Sequence, residues 1–206
     1  MANIPLPTNL PFTRLRWVPP AQNQVNRSEW TGARKVVRLP GAGRWRCSAA
    51  VLQTTRHSIA REWIAFFTAL EGQANTFLLP FSQGGQYTQA GTGATPQVAA
   101  GAVQGAETIP LQGLGASGVR LFAGQAMSFV QPDGNTQLVV LTQNLVADGS
   151  GNGTATFRAA LRGAPAAGTA VELVNPVGQM ALTTDLVPIP SDEGVYDFAF
   201  DCEEAF

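Results

Sequence analysis

Charge is scarce in this chain. Of its 206 residues only 13% are Asp, Glu, Lys or Arg, against a usual share of roughly 25%. On a packed protein that scarcity has two readings: partners cover part of the surface, or Gln, Asn, Thr and Ser do the solvating. A net charge of −1 leaves no overall electrostatic case for nucleic acid binding. Histidine occurs once, as His57, and cysteine twice, as Cys47 and Cys202. One His and two distant Cys supply neither a zinc ligand set nor a nucleophile–base arrangement. Two Cys are also too few for a disulfide scaffold, so both read as small buried strand residues. No apolar stretch reaches the ~18 residues that span a bilayer. The opening MANIPLPTNLPF lacks the charged start and apolar run of a signal peptide, and the expectation is a soluble product made inside the cell.

The remaining candidate chemistry is thin. The run Asp148-Gly149-Ser150-Gly151-Asn152-Gly153 faintly resembles a calcium loop, but Ala159 stands where its bidentate Glu belongs and its flanks are strand-like. It reads as a hairpin turn. Gly91-Thr92-Gly93-Ala94-Thr95 has no P-loop lysine and no following helix. Glu203 and Glu204 are adjacent, so on a strand they point to opposite faces and cannot act as an acid/base pair. Trp63 and Trp45 read as core, whereas Trp17 and Trp30 stay open as candidates for a sugar-stacking surface. The reading therefore assigns no catalytic residue, no cofactor and no metal ligand, and the chain is not expected to be an enzyme.

What is present is apolar and turn-rich. Hydrophobic residues make up 45%, with 22 Gly and 14 Pro, which favours many short strands joined by tight turns around a real core. One helix stands out. Ile59, Trp63, Phe66, Phe67 and Leu70 fall on one face of a roughly four-turn helix over about 58–71. Ser58 is placed to cap its first turn, and Gly72 to make the left-handed exit. RWRCSAAVL before it and NTFLLPF after it read as strands.

Residues 1–20 are proline-punctuated and extended, and Gln24 to Leu39 reads as a strand or hairpin bending near Trp30-Thr31-Gly32. Pro40-Gly41-Ala42-Gly43 is a turn. From Ser82 to about Gly118 the chain is Gly, Ala, Gln and Thr with almost no charge, read as short strands at Val98–Val103 and Thr108–Leu111 among loops. Four to six further strands run from Val119 to about Leu182, separated by turns at Pro132–Asn135, Asp148–Gly153 and Gly163–Gly168. Tyr196, Phe198, Phe200 and Cys202 alternate as a last strand, aromatic like those of the first unit and expected to rejoin it. The expected fold is mainly β. Residues 1–82 and 184–206 would form a sandwich-like domain with the one helix, and 83–183 an inserted small β-barrel.

Charge is unevenly spread. Eight of the thirteen basic residues are Arg14, Arg16, Arg27, Arg34, Lys35, Arg38, Arg44 and Arg46, whereas the C-terminal DEGVYDFAFDCEEAF is acidic. Such a split suits self-assembly, basic edge of one copy against acidic tail of the next; equally, both faces meet only solvent.

The order of parts resembles one family. SEWTGARKVVRLPGAGRWRCSAAV is similar to the strand pattern of tailed-bacteriophage tail proteins, and AREWIAFFTALEGQANTFLLPF to their helix, Phe-x-x-Leu-x-Gly and apolar strand. RLFAGQAMSFV resembles their Leu-x-Ala-Gly-Asp strand, with Gln125 in place of the acidic residue, and LVADGSGNGTATFRAALRGAPAAGTAVELVNPVGQMAL the close of an inserted β-domain. The likeness spans most of 27–182. It implies a distal tail protein of a long non-contractile tail: a β-rich ring domain with one helix, plus a second barrel of OB or galectin-like type. Further implications are a homo-oligomeric ring, expected as a hexamer, and partners in the tail tube protein and the hub, tip or fibre proteins. A place at the virion tail tip after assembly in the host bacterial cytoplasm is implied as well. The residues offered to a subunit interface are Arg34, Lys35, Arg38, Arg44, Arg46, Glu203 and Glu204. A tube, terminator or adaptor subunit is one competing reading, and a carbohydrate-binding module another. Binding of a host-surface glycan by the inserted domain also stays open.

Overall fold

The computed structural model describes residues 1–9, 11–21, 23–38, 43–86, 95–185 and 194–206. The first half of the chain forms β1 (Phe12–Val18), β2 (Asn23–Arg27), β3 (Arg34–Arg38), β4 (Arg46–Val51), α1 (His57–Leu70) and β5 (Phe77–Pro80). Short strands follow: β6 (Gln97–Val98), β7 (Thr108–Gln112), β8 (Gly118–Leu121), β9 (Ala126–Val130), β10 (Thr136–Val140), β11 (Leu145–Ala147), β12 (Gly153–Thr156) and β13 (Val171–Glu172). Two longer strands, β14 (Val177–Leu182) and β15 (Ala199–Glu204), complete the chain. The protein is mainly β, with one helix among the described residues.

The frame is a five-stranded curled antiparallel sheet in the order β1-β4-β15-β14-β5. Alternation builds it. Cys47, Ala49 and Val51 of β4 and Phe200 and Cys202 of β15 turn inward, while their neighbours Ser48, Ala50 and Asp201 do not. Helix α1 covers the inner face with Trp63, Phe66, Phe67 and Leu70, all buried, together with Ala60. Ile59 is half-buried at the margin of the same cluster. Ala60, too small to stand out in an aromatic stripe, was not among the expected core residues.

The helix ends differ from the expected caps. The helix begins at His57, so Ser58 lies inside its first turn. The preceding residue Arg56, in extended conformation, makes no side-chain capping bond. At the other end Glu71 is the first left-handed residue (φ 49°), with its N–H donating to the Thr68 carbonyl at 3.2 Å, and Gly72 (φ 67°) follows. Glycine is needed at 72 by closeness as well as by φ, because a Cβ there would stand 2.7 Å from Asp185 Oδ1 and 3.0 Å from Asp185 Cα. The Asn75 amide donates to the Ala69 carbonyl at 3.1 Å and satisfies one of the orphaned C-terminal carbonyls.

The N-terminal segment straps the helix. Asn3 forms a parallel bridge with Thr76, Ile4 and Leu6 pack on the helix cluster, and the Asn9 amide donates to Glu62. The chain then enters β1 at the far edge of the sheet.

Between β5 and β14 lies the second unit. Its ladders are β10-β9-β13, β12-β7-β6 and β11-β8. Bridges Gln97↔Ala170 and Leu141↔Phe157 join the first two ladders into a closed circuit around a core containing Ile109, Leu121, Met127, Phe129, Val139 and Phe157. The expected strand at Val98–Val103 shrinks to β6, since Gly101 turns the chain at φ 99°. The turns at 39–42 and the glycine run at 91–94 lie outside the described residues.

One strand departs from the expected division. Val177–Leu182, read from sequence as closing the inserted unit, is hydrogen-bonded between β15 and β5 in the five-stranded sheet. It also carries the junction. The Val177 N–H donates to Ser128 Oγ at 3.1 Å, and the Thr136 N–H donates to Gln179 Oε1 at 2.9 Å. Beside it Trp45, Ala126 and Leu138 form a small core flanked by Trp17, Phe81 and Val140, and Trp45 Nε1 donates to the Leu138 carbonyl at 2.9 Å.

Candidate assembly interface

Strands β2 and β3 pair with each other and with no other described strand. Every residue of β2, and Arg34 to Val37 of β3, is exposed. The ladder sets Val25 opposite Val36 and Arg27 opposite Arg34 on one face. Gln24 opposite Val37 and Asn26 opposite Lys35 occupy the other face. Arg38 ends the ladder opposite Asn23.

The turn is internally ordered. The Ser28 N–H donates to the Ala33 carbonyl (2.9 Å), the Gly32 N–H to the Ser28 carbonyl (3.0 Å) and the Thr31 N–H to Ser28 Oγ (3.2 Å). Gly32 takes the positive φ of 66° this turn requires. Trp30 rides on the turn, 98% exposed, while Val25 and Val36 are 46% and 47% exposed. A two-stranded ribbon that no other described element covers is marginal in water. A paired valine face, framed by arginines and tipped by a tryptophan, has the makeup of a contact surface: aromatic and Arg anchors around an apolar centre.

The other residues offered to an interface are engaged within the chain. Arg44 and Arg46 both reach Glu203, at 3.2 and 3.8 Å. These are half-exposed pairs of little energetic weight. Glu204 is on the buried face of β15 and meets Arg162 of the second unit at 2.7 Å, with side chains 3% and 16% exposed. The Glu204 carboxylate also accepts the Trp45 N–H at 3.1 Å, and Arg162 donates to the Gly43 carbonyl at 3.2 Å. The Phe206 ring lies under both guanidiniums, 3.2 Å from Arg162 and 4.7 Å from Arg44. The acidic C-terminus thus fastens the root of the hairpin to the second unit within one chain. Among the described side chains, the basic residues left outward on the hairpin are Arg27, Arg34 and Lys35.

Burial pushes the Glu204 carboxyl up, against the pull of Arg162, the Trp45 N–H and Arg44; burial likewise lowers the Arg162 guanidinium, against Glu204. A carboxyl with a folded pKa above its unfolded value holds an extra proton in the folded state. Its contribution to stability is greatest below the unfolded value and declines as pH rises through the raised one. Replacing Glu204 by Gln is therefore expected to gain on the wild type as pH climbs from 4 to 8, read from urea midpoints. A constant difference across that range would refute this account of the pair.

The former calcium-loop candidate is a turn. Asp148 Oδ1 accepts the Ser150 and Asn152 N–H groups, each at 2.8 Å, and these bonds, Asn152 first, lower the Asp148 pKa. Of the tryptophans, Trp45 and Trp63 are buried, Trp17 is half-buried at the junction, and Trp30 stands free. His57 Nδ1 and the Tyr196 hydroxyl are 2.5 Å apart, pinning the helix start to the last stretch of chain.

Comparison with known protein families finds no match to this chain, and comparison with curated proteins finds none either.

Proposed function

We propose that this protein is a structural subunit of a phage tail tip, forming a ring at the distal end that joins the tail tube to the tip or fibre machinery. The observation that carries the reading is the hairpin β2–β3, exposed on both faces, with a valine pair, Arg27, Arg34 and Trp30 presented outward. Such an arm gains its stability from whatever it docks on, and in a ring that is the next copy, through a heterologous contact that closes on itself. The resemblance in order of parts supplies the virion setting, with a hexamer as the expected stoichiometry and the tube and hub proteins as neighbours. It also suggests that the closed strand circuit of the second unit is a barrel of OB or galectin-like type. Assembly would take place in the host cytoplasm.

The test is solution mass by light scattering, with negative-stain images of the same peak. Wild type is expected to form rings. Trp30→Ala combined with Val36→Asp is expected to weaken association by more than tenfold while the melting temperature falls only slightly, since Trp30 is exposed and Val36 loses within the described residues chiefly its cross-strand contact with Val25. Wild type that stays monomeric at high concentration, or a variant that assembles as well as wild type, would count against the arm.

A further inference from the structure

Cys47 and Cys202 are 155 residues apart in sequence and directly opposite in the sheet, in register on β4 and β15. Both are reduced and buried on the helix-covered face. Their pairing type follows from the ladder. The Glu204 N–H donates to the Trp45 carbonyl and the Val51 N–H to the Phe198 carbonyl. Positions two residues apart along the register share a type, so Cys47↔Cys202 is a hydrogen-bonded pair. Pairs of that type hold their Cα atoms about 5.5 Å apart, inside the ~4.4–6.8 Å Cα span of a disulfide. Their Cβ atoms stand toward the wide end of ~4.5–5.5 Å, so closing the bond at ~3.5–4.5 Å draws β4 and β15 together at this rung. Cys202 Sγ lies 3.4 Å from the Cys47 carbonyl oxygen. The interaction between the two thiols lowers the Cys47 pKa and, together with burial, raises that of Cys202, which makes Cys47 the first to react.

We propose that Cys47 and Cys202 form a dithiol–disulfide site, closed by exchange with a low-molecular-weight disulfide of the glutathione type. The Cys47 thiolate attacks one sulfur of that reagent, whose S–S bond breaks and releases one thiol. The Cys202 thiolate then attacks the Cys47 sulfur of the mixed disulfide and releases the second thiol. Two protein thiols are oxidised and the reagent disulfide is reduced to two thiols. The bond staples β4, which carries the root of the exposed hairpin, to the central strand β15. It closes a loop long enough for the unfolded chain to lose much of its freedom. The site is independent of the tail-tip reading, and nothing in that reading requires it.

The experiment uses the full chain, incubated folded with oxidised glutathione and, in parallel, refolded from denaturant in it so that burial does not shield the thiols. Each sample is denatured, alkylated and weighed. The expected product of refolding has lost about 2 Da, takes up no alkylating agent, and melts about 5 °C or more above the reduced protein. Dithiothreitol reverses both changes, and Cys47→Ala and Cys202→Ala abolish them. The folded sample reaches the same product more slowly, through opening of the sheet. Refolded protein with both cysteines alkylated, or a stable single glutathione adduct, would overturn the proposal, as would a disulfide that lowers the melting temperature.

Discussion

Replacing Trp63 by alanine is expected to lower stability by about 4 kcal/mol, in the upper range for emptying an aromatic site in a core. Trp63 has no exposed surface and touches five aromatic rings. Phe198 stacks on it at 6.1 Å, and Phe12, Phe66, Phe67 and Phe200 lie at 5.8 to 6.5 Å. These rings come from β1, α1, β15 and the residue just before β15, so the indole holds the helix against two strands of the sheet and no single neighbour can move in to fill its space. Phenylalanine at the same position should behave very differently. The buried indole N–H of Trp63 has no hydrogen-bond partner among the described residues, so Trp63→Phe removes an unsatisfied donor along with part of a ring. Urea unfolding of the two variants measures the contrast. Trp63→Phe as costly as Trp63→Ala would mean that the N–H, and not the ring, is the important part.

The second large effect is expected at the other end of the sheet. Arg162→Met leaves the Glu204 carboxylate buried, with the Trp45 N–H still donating to it. Breaking a buried pair from one side costs about 3–5 kcal/mol. The loss should be greatest near pH 8 and shrink toward pH 5, because a carboxyl already pushed up by burial escapes the penalty by taking a proton. Adding Glu204→Gln to Arg162→Met should restore much of the stability, since replacing both members of a buried pair is often close to neutral. A double-mutant cycle at two pH values reads this directly. An Arg162→Met variant within 1 kcal/mol of wild type at pH 8 would show that water reaches the carboxylate.

The contrast between these two sites follows what is legible in an amino-acid sequence. Trp63 announces itself, because Phe66, Phe67 and Leu70 repeat at helical spacing and the period alone gives the buried face. The alternation through Phe198, Phe200 and Cys202 is equally local, and so is the bend around Trp30-Thr31-Gly32 that makes the exposed hairpin. Arg162 and Glu204 are 42 residues apart, and no local pattern joins them. One signal was nevertheless available: Glu204 shares the strand parity of the buried Phe200 and Cys202, which places a carboxylate on the inner face and calls for an internal cation. The membership of β14 was hidden for a different reason. VGQMAL is as apolar as the strands before it, and its place between β15 and β5 depends on pairings with distant segments. The helix start was missed by a single residue, which turned Ser58 from an expected cap into an interior position. The register of Cys47 with Cys202 is of the same non-local kind, fixed only when β15 returns beside β4.

The placement of β14 beside β5 has a consequence for how this chain can change. Pro80 and Val177 are partners on one rung, and the Phe81 N–H donates to the Pro176 carbonyl on the next. The chain therefore departs for the second unit and comes back from it at neighbouring strand ends. For the sheet, everything between those ends is a hairpin connection, and lengthening such a connection costs only about 0.6 kcal/mol per doubling. Evolution can enlarge, exchange or delete this cassette without rethreading a single strand of the frame. What a replacement must still provide is a cover for Trp45 and a counter-charge for Glu204.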